Sequence, residues 1–117
     1  MAKLKIAIVV INYNGCQNTL DCLDSLRILE TANFEIELVV VENGSEDGSA
    51  QALGNIGDIE LLLSQTNLGF AGGANLGIKH AIKRNARYVL ILNNDTIADK
   101  FLIKSMISSA KFGQIIS

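Results

Sequence analysis

The residues best suited to chemistry are Asn93-Asn94-Asp95, which follow directly on the apolar run Tyr88-Val89-Leu90-Ile91-Leu92. A buried strand that ends in a carboxylate delivers that charge to the carboxyl edge of a parallel sheet, where open α/β folds keep their ligand crevice. A carboxylate there suits a hard divalent cation that also takes phosphate oxygens as ligands. Three other polar segments follow apolar runs: Asn12-Tyr13-Asn14, Glu42 to Gly48, and Asn67 to Gly77 with its several glycines. Alone, each has a structural reading. Asp95 would cap the next helix, the Asn-Gly-Ser cluster would turn the chain, and the glycines would allow close packing. In a parallel α/β sheet, however, all of them fall at strand carboxyl ends or just beyond, and so converge on one crevice.

Other chemistries are excluded by spacing. The first strand-to-helix turn, Asn12-Tyr13-Asn14-Gly15-Cys16, has a single glycine where a dinucleotide fingerprint needs G-x-G-x-x-G, and no G-x-x-x-x-G-K-[ST] occurs. The alternation of Asn43, Ser45 and Asp47 is that of a calcium loop, but Gly54 holds the position of the closing glutamate. His80 is the sole histidine and falls within a predicted helix, which favours a structural role over nucleophilic catalysis. Cys16 and Cys22 project to roughly opposite sides of a predicted helix, so they are expected to be reduced thiols, and their spacing is wrong for zinc. Reduced thiols point to a cytoplasmic compartment.

The elements that must position these residues follow from hydrophobic periodicity. Four short apolar runs, over 6–11, 38–41, 59–63 and 88–92, alternate with segments of helical character, which predicts parallel strands joined by crossover helices. Leu20, Leu23, Leu26 and Leu29 trace the first helix, a short one follows over about 49–53, a third is expected over 74–84, and Leu102, Ile103, Met106, Ile107 and Ala110 mark the fourth. Gly113 fits the left-handed position that ends a helix, and Gln114 to Ser117 resemble the opening of another strand. The continuous apolar runs imply strands covered on both faces. The expected architecture is a three-layer α/β/α domain with a mainly parallel sheet of order 3-2-1-4.

Composition bounds the reading. The chain has 117 residues, enough for one domain with one core, and is 49% hydrophobic and 19% charged. No segment has the roughly 18 uninterrupted apolar residues of a membrane span. Ten Lys and Arg against twelve Asp and Glu give a net charge of -2 without a basic segment, so nucleic-acid binding has little electrostatic support.

The chain resembles the nucleotide-sugar-binding half of the inverting GT-A glycosyltransferases known as family 2, especially the rhamnosyltransferase-like and galactofuranosyltransferase-like branches. Four elements carry the resemblance, in the family's order: Val9 to Gly15, Val40 to Ser49, Asn67 to Gly77, and Leu92 to Thr96. The resemblance implies a UDP- or dTDP-sugar donor, with Ile11 and Tyr13 lining the base pocket. Glu42 stands where the family usually has an aspartate that accepts the imide N–H of uracil or thymine. Asn93-Asn94-Asp95 matches the Asp-x-Asp element, with Asp95 as ligand of Mg or Mn and Asn93 replacing the first carboxylate. Asn43, Ala74 and Asn94 complete the implied nucleotide-binding set, although some relatives carry an arginine where this chain has Ala74.

The family's general base lies well downstream of its Asp-x-Asp element, so the expectation is a truncated domain that binds donor more readily than it turns over. The acceptor, a glycan or a lipid-linked molecule, is not identified. A cytoplasmic location is expected, with the inner face of the membrane an open alternative. The edge of an unfinished sheet favours homo-oligomers. One rival reading, a sugar-phosphate nucleotidyltransferase, wants a glycine-rich basic loop after the first strand, which Asn12 to Cys16 does not provide. The other rival is a non-catalytic nucleotide-binding remnant or interaction module.

Overall fold

The computed structural model describes residues 3–31, 33–109 and 115–116. Five parallel strands form one sheet in the order β3-β2-β1-β4-β5. They are β1 (Leu4–Asn12), β2 (Phe34–Asn43), β3 (Glu60–Ser64), β4 (Tyr88–Asn93) and the two-residue β5 (Ile115–Ile116). The predicted order of the first four strands is the observed one. The expected helix end at Gly113, and Ala110 on that helix's apolar face, lie outside the described residues.

Strand alternation divides the interior in two. Ile6, Ile8 and Val10 of β1 point to one face, where they pack with Cys22, Leu23 and Leu26 of α1 (Cys16–Arg27), Leu53 of α2 (Ser49–Gly54) and Ile103 of α4 (Leu102–Ser109). Ala7, Val9 and Ile11 point to the other, beneath Ala74 and Ala81 of α3 (Gly69–Lys83). Burial on both faces is why these strands read as unbroken apolar runs. The three layers are thus α1, α2 and α4, then the sheet, then α3.

Helix α3 starts five residues earlier than periodicity predicted, at Gly69 rather than Ala74. Its opening Gly-Phe-Ala-Gly-Gly has poor intrinsic helix propensity. Tertiary packing overrides that weakness. The helix turns Gly73, Ala74, Gly77 and Ala81 inward, and this row of small residues brings its axis close to the sheet. A Cβ on Gly77 would stand 2.4 Å from Cγ1 of Val9.

Register aligns the carboxyl edge. Asn12 pairs with Glu42 across β1 and β2, and Ile11 with Asn93 across β1 and β4. The chain passes from β1 outward through β2 to β3, then crosses to the other side of β1 for β4, so the topological switch point lies between β1 and β4. In open α/β sheets a switch point of this kind is where a ligand crevice is expected. No helix among the described residues is long and apolar enough to cross a membrane.

Candidate functional site

The loop after β1 flanks the switch point and is held by the loop after β2. Asn14, with a left-handed φ of 48°, donates its backbone N–H to Ser45 Oγ at 2.8 Å and accepts the Glu46 N–H on its side chain at 2.8 Å. Behind these contacts lies a buried polar network. Glu42 is only 2% exposed and Asn12 fully buried. Asn12 Nδ2 donates to Glu42 Oε1 at 3.2 Å and to Ser45 Oγ at 3.3 Å, while Asn12 Oδ1 accepts the Thr19 hydroxyl at 2.6 Å. Ser45 gives Glu42 both its hydroxyl, in a short contact to Oε1, and its N–H, 3.1 Å from Oε2. A buried carboxylate is tolerable only with such donors around it. None of these donors fills Oε2 beyond the single Ser45 N–H.

The other wall of the crevice is the tip of β4. Asn94 Nδ2 donates to the carbonyl of Gly15 at 3.2 Å, which ties that tip to the start of α1. After Asp95 the chain runs along α1, where Ala98 N–H reaches Ser25 Oγ at 2.9 Å and Glu30 N–H reaches the Lys100 carbonyl at 2.7 Å. Asp95 itself is exposed and makes no hydrogen bond or ion pair among the described residues. Its charge is felt by Cys22: burial, reinforced by Asp95, pushes that thiol up to about 11. The capping alternative for Asp95 fails, because α4 begins seven residues later and Asp99 Oδ1 accepts the Phe101 N–H at 2.8 Å instead.

The structure brings some of the sequence-derived site residues to the crevice and commits others elsewhere. Tyr13, 44% exposed, stands on the rim, as do Asn93 and Asp95. Asn93 continues the alternation of Val89 and Ile91 toward α3, whereas Asp95 lies on the α1 side. Ile11 is buried beneath Gly73 of α3, whose added Cβ would meet it at 3.2 Å. Ala74 packs into the core under α3 rather than onto the rim. Asn43, buried, is a clamp for the loop after β3: it accepts the Leu68 N–H at 3.0 Å and donates to the Gly69 carbonyl at 3.0 Å and to Asn67 Oδ1 at 3.3 Å. Gly44, with φ of 79°, lets the same two loops meet backbone to backbone, since a Cβ there would lie 2.5 Å from the carbonyl carbon of Thr66.

Sequence reasoning did not single out Thr19, and it named Ser45 only in a discarded calcium-loop alternation and within the Val40 to Ser49 element. A faint signal existed for Thr19, a polar residue on the buried face that carries Cys22, Leu23 and Leu26, because buried hydroxyls need partners. Ser45 had only its place three residues after Glu42.

The exposed carboxylates at this end of the sheet are Asp95 after β4 and Glu46 and Asp47 in the loop after β2. Among the described residues no three His, Cys, Asp or Glu side chains stand close enough together to hold an ion. That donor set fits a cation which takes its remaining ligands from a diphosphate and water, the usual habit of Mg²⁺. It does not fit a cage built from protein alone.

Concavities elsewhere are poorer candidates. One of about 570 Å³, lined by Lys3, Lys5, Arg84 and Arg87, lies at the amino edge of the sheet. Lys5 and Arg84 are both paired with Glu37 there. His80 sits between α3 and the sheet, its Nε2 3.8 Å from Glu37 and 4.0 Å from Glu60, in a structural setting remote from the strand carboxyl ends. Both cysteines are free.

The family model described as Glycosyl transferase family 2 matches residues 7–116 of the chain. Among solved structures, the chain is similar to the crystal structure of S. aureus TarS 1-349, with a TM-score of 0.73 and 26% identity, over 90% of this chain and 32% of that one. The same TarS 1-349 in complex with UDP gives a TM-score of 0.72 and 25% identity over 90% and 31% of the two chains. In complex with UDP-GlcNAc it gives 0.73 and 26% over 90% and 30%. The chain therefore spans about a third of the length of these neighbours. No curated protein matches it.

Proposed function

This chain belongs to glycosyl transferase family 2, and from that premise we propose that it binds the uridine or thymidine diphosphate of a sugar donor at the carboxyl edge of its sheet, for transfer to an acceptor hydroxyl. The observation that carries this reading is the pairing, across one switch point, of a buried and oriented Glu42 with an exposed Asp95. Glu42 would accept the imide N–H of the pyrimidine on Oε2, and Tyr13 would cover the base from the rim. Ile11 shapes the floor from beneath. Asn43 contributes by holding the loop at Asn67 to Gly69, and Asn94 by fixing the tip that presents Asp95. Ala74 offers no side-chain contact from its buried place.

Asp95 would hold Mg²⁺ or Mn²⁺; the Asn93 amide continues the strand alternation toward α3, the opposite side of the tip, and is therefore not counted as a second ligand of the same ion. Such an ion, when bound, neutralises charge that develops on the departing diphosphate. The chain's own residues orient the nucleotide and set the position of that charge. Transfer with inversion, which the family likeness supports, also needs a base on the acceptor hydroxyl opposite the leaving group. None of the rim carboxylates is assigned that task. The neighbour captured with UDP and UDP-GlcNAc supports a uridine nucleotide as the first ligand to try.

Calorimetric titration of the chain with UDP and dTDP, with and without Mn²⁺, tests the proposal. Metal-enhanced binding that disappears in Asp95→Ala is the expected result. Absence of heat with either nucleotide in saturating Mn²⁺ would transfer the chain to the interaction-module reading.

A further inference from the structure

The buried network behind the crevice has a directionality that hydrogen-bond chemistry fixes. A carboxylate only accepts, so the Asn12 side chain facing Glu42 Oε1 at 3.2 Å must present its NH₂ group. Its carbonyl oxygen then faces Thr19, whose hydroxyl must donate across the 2.6 Å contact. On the far side of Glu42 the Ser45 hydroxyl donates to Oε1 and so has lone pairs left for Asn14 N–H at 2.8 Å and Asn12 Nδ2 at 3.3 Å. Both N–H donors of the Asn12 side chain are thereby used, its oxygen has Thr19 as donor, and Oε1 of Glu42 is saturated. The remaining acceptor capacity lies on Oε2.

From this relay we infer that Thr19 and Ser45 are positioning residues for pyrimidine recognition: their hydroxyls hold the Asn12 amide and the Glu42 carboxylate so that Oε2 is aimed at the imide N–H of the donor base. The inference rests on the donor-site reading above. Neither hydroxyl touches the nucleotide. Thr19 acts from α1, fully buried, and Ser45 from the loop after β2. The longer arm of glutamate, relative to the aspartate usual in the family, has more rotamers to choose among, and the two hydroxyls remove that freedom. With Thr19 replaced by valine, shape is kept but Asn12 Oδ1 is left buried without a donor, and the amide and its carboxylate partner shift to find one.

The test compares UDP with its N3-methyl analogue, which lacks the imide proton, by calorimetry in Mn²⁺ on the full chain. The wild-type chain should prefer UDP by about tenfold or more, the worth of one hydrogen bond to a charged group. Thr19→Val should lose most of that preference by weakening UDP alone, and Thr19→Ser should restore it. Ser45→Ala, at a partly exposed position, should behave as Thr19→Val does and serves if the valine variant does not fold. Equal weakening of both ligands, with the preference intact, assigns the hydroxyls a purely structural role and overturns the inference. Failure of the wild-type chain to distinguish the two ligands removes the Glu42 base contact itself, and the inference falls with it.

Discussion

Asn94 Nδ2 donates to the Gly15 carbonyl at 3.2 Å, a contact that spans 79 residues of sequence and closes the gap between β4 and the start of α1. Asp95 follows immediately and has no hydrogen bond of its own among the described residues, so its place depends on this neighbour. Asn94→Ala should therefore weaken metal-dependent UDP binding several-fold while costing about 1 kcal/mol of stability, the net worth of one ordinary hydrogen bond. Gly15→Ala attacks the same contact from the other side, because its Cβ would lie 2.5 Å from Asn94 Nδ2. The two variants should match in calorimetry, and the double variant should be no worse than either. Additive losses would show that the contact is not what places Asp95.

Cys22 gives the fold a pH dependence of defined sign. Its folded value of about 11 exceeds the ordinary thiol value of 9.0 because burial disfavours the thiolate and the Asp95 charge disfavours it further. Between those values the unfolded chain has released the thiol proton while the native chain retains it, so rising pH favours unfolding. The group is silent below about pH 9, and above it lowers stability by at most about 1.4 kcal/mol per pH unit until the folded value is passed. Urea unfolding across this range, with Cys22→Ala as reference, isolates the contribution of the thiol. A wild-type slope equal to that of the alanine variant would contradict the assignment.

The fold was legible because the strands are buried on both faces: Ile6 to Ile11, Leu38 to Val41 and Tyr88 to Leu92 are uninterrupted by charge, and their alternation with helical segments points to a parallel sheet between helices. The start of α3 was not, since Gly69 to Gly73 contradict helix propensity, and Gly73 is placed by its contact with Ile11 and Asn43, which lie far away in sequence. The site was legible at the level of loops and less so at the level of side chains. Asp95 and Tyr13 are exposed at the carboxyl end of the sheet, whereas Asn43 and Ala74 are buried, Asn43 in a loop clamp and Ala74 in the core. Thr19 became visible only when α1 was docked, because its partner Asn12 belongs to a different element.

Asn43 illustrates that structural work and makes a sharp test. Its two polar atoms serve opposite needs, accepting from Leu68 N–H and donating to the Gly69 carbonyl. Asn43→Ala leaves both groups unpaired and should cost about 1–3 kcal/mol. Asn43→Asp is nearly isosteric, yet it turns a donor into an acceptor that faces the oxygens of Gly69 and Asn67. It should therefore be at least as damaging as alanine. Hydrogen exchange at the Leu68 amide reads the loop directly: protection should drop in both variants, and unchanged protection in Asn43→Asp would refute the clamp.

The approach of α3 to the sheet supplies the last test. Gly77 and Val9 meet so closely that an added Cβ would stand 2.4 Å from Cγ1 and 3.0 Å from Cγ2 of a fully buried side chain on the central strand β1. The β-branched side chain is confined by its neighbours and cannot rotate clear, so Gly77→Ala must push α3 outward. Overpacking of this kind costs about 1–3 kcal/mol, more than any gain in helix propensity from replacing glycine. Val9→Ala alone leaves a cavity and is also destabilising. Combined, the new methyl occupies the space the valine vacated, so the double variant should recover about 0.5–3 kcal/mol relative to the sum of the single effects. Thermal unfolding of the four chains measures that coupling. Strict additivity would mean that the helix is held off the sheet by something other than this pair, and that the small-residue row of α3 does not set the spacing between layers.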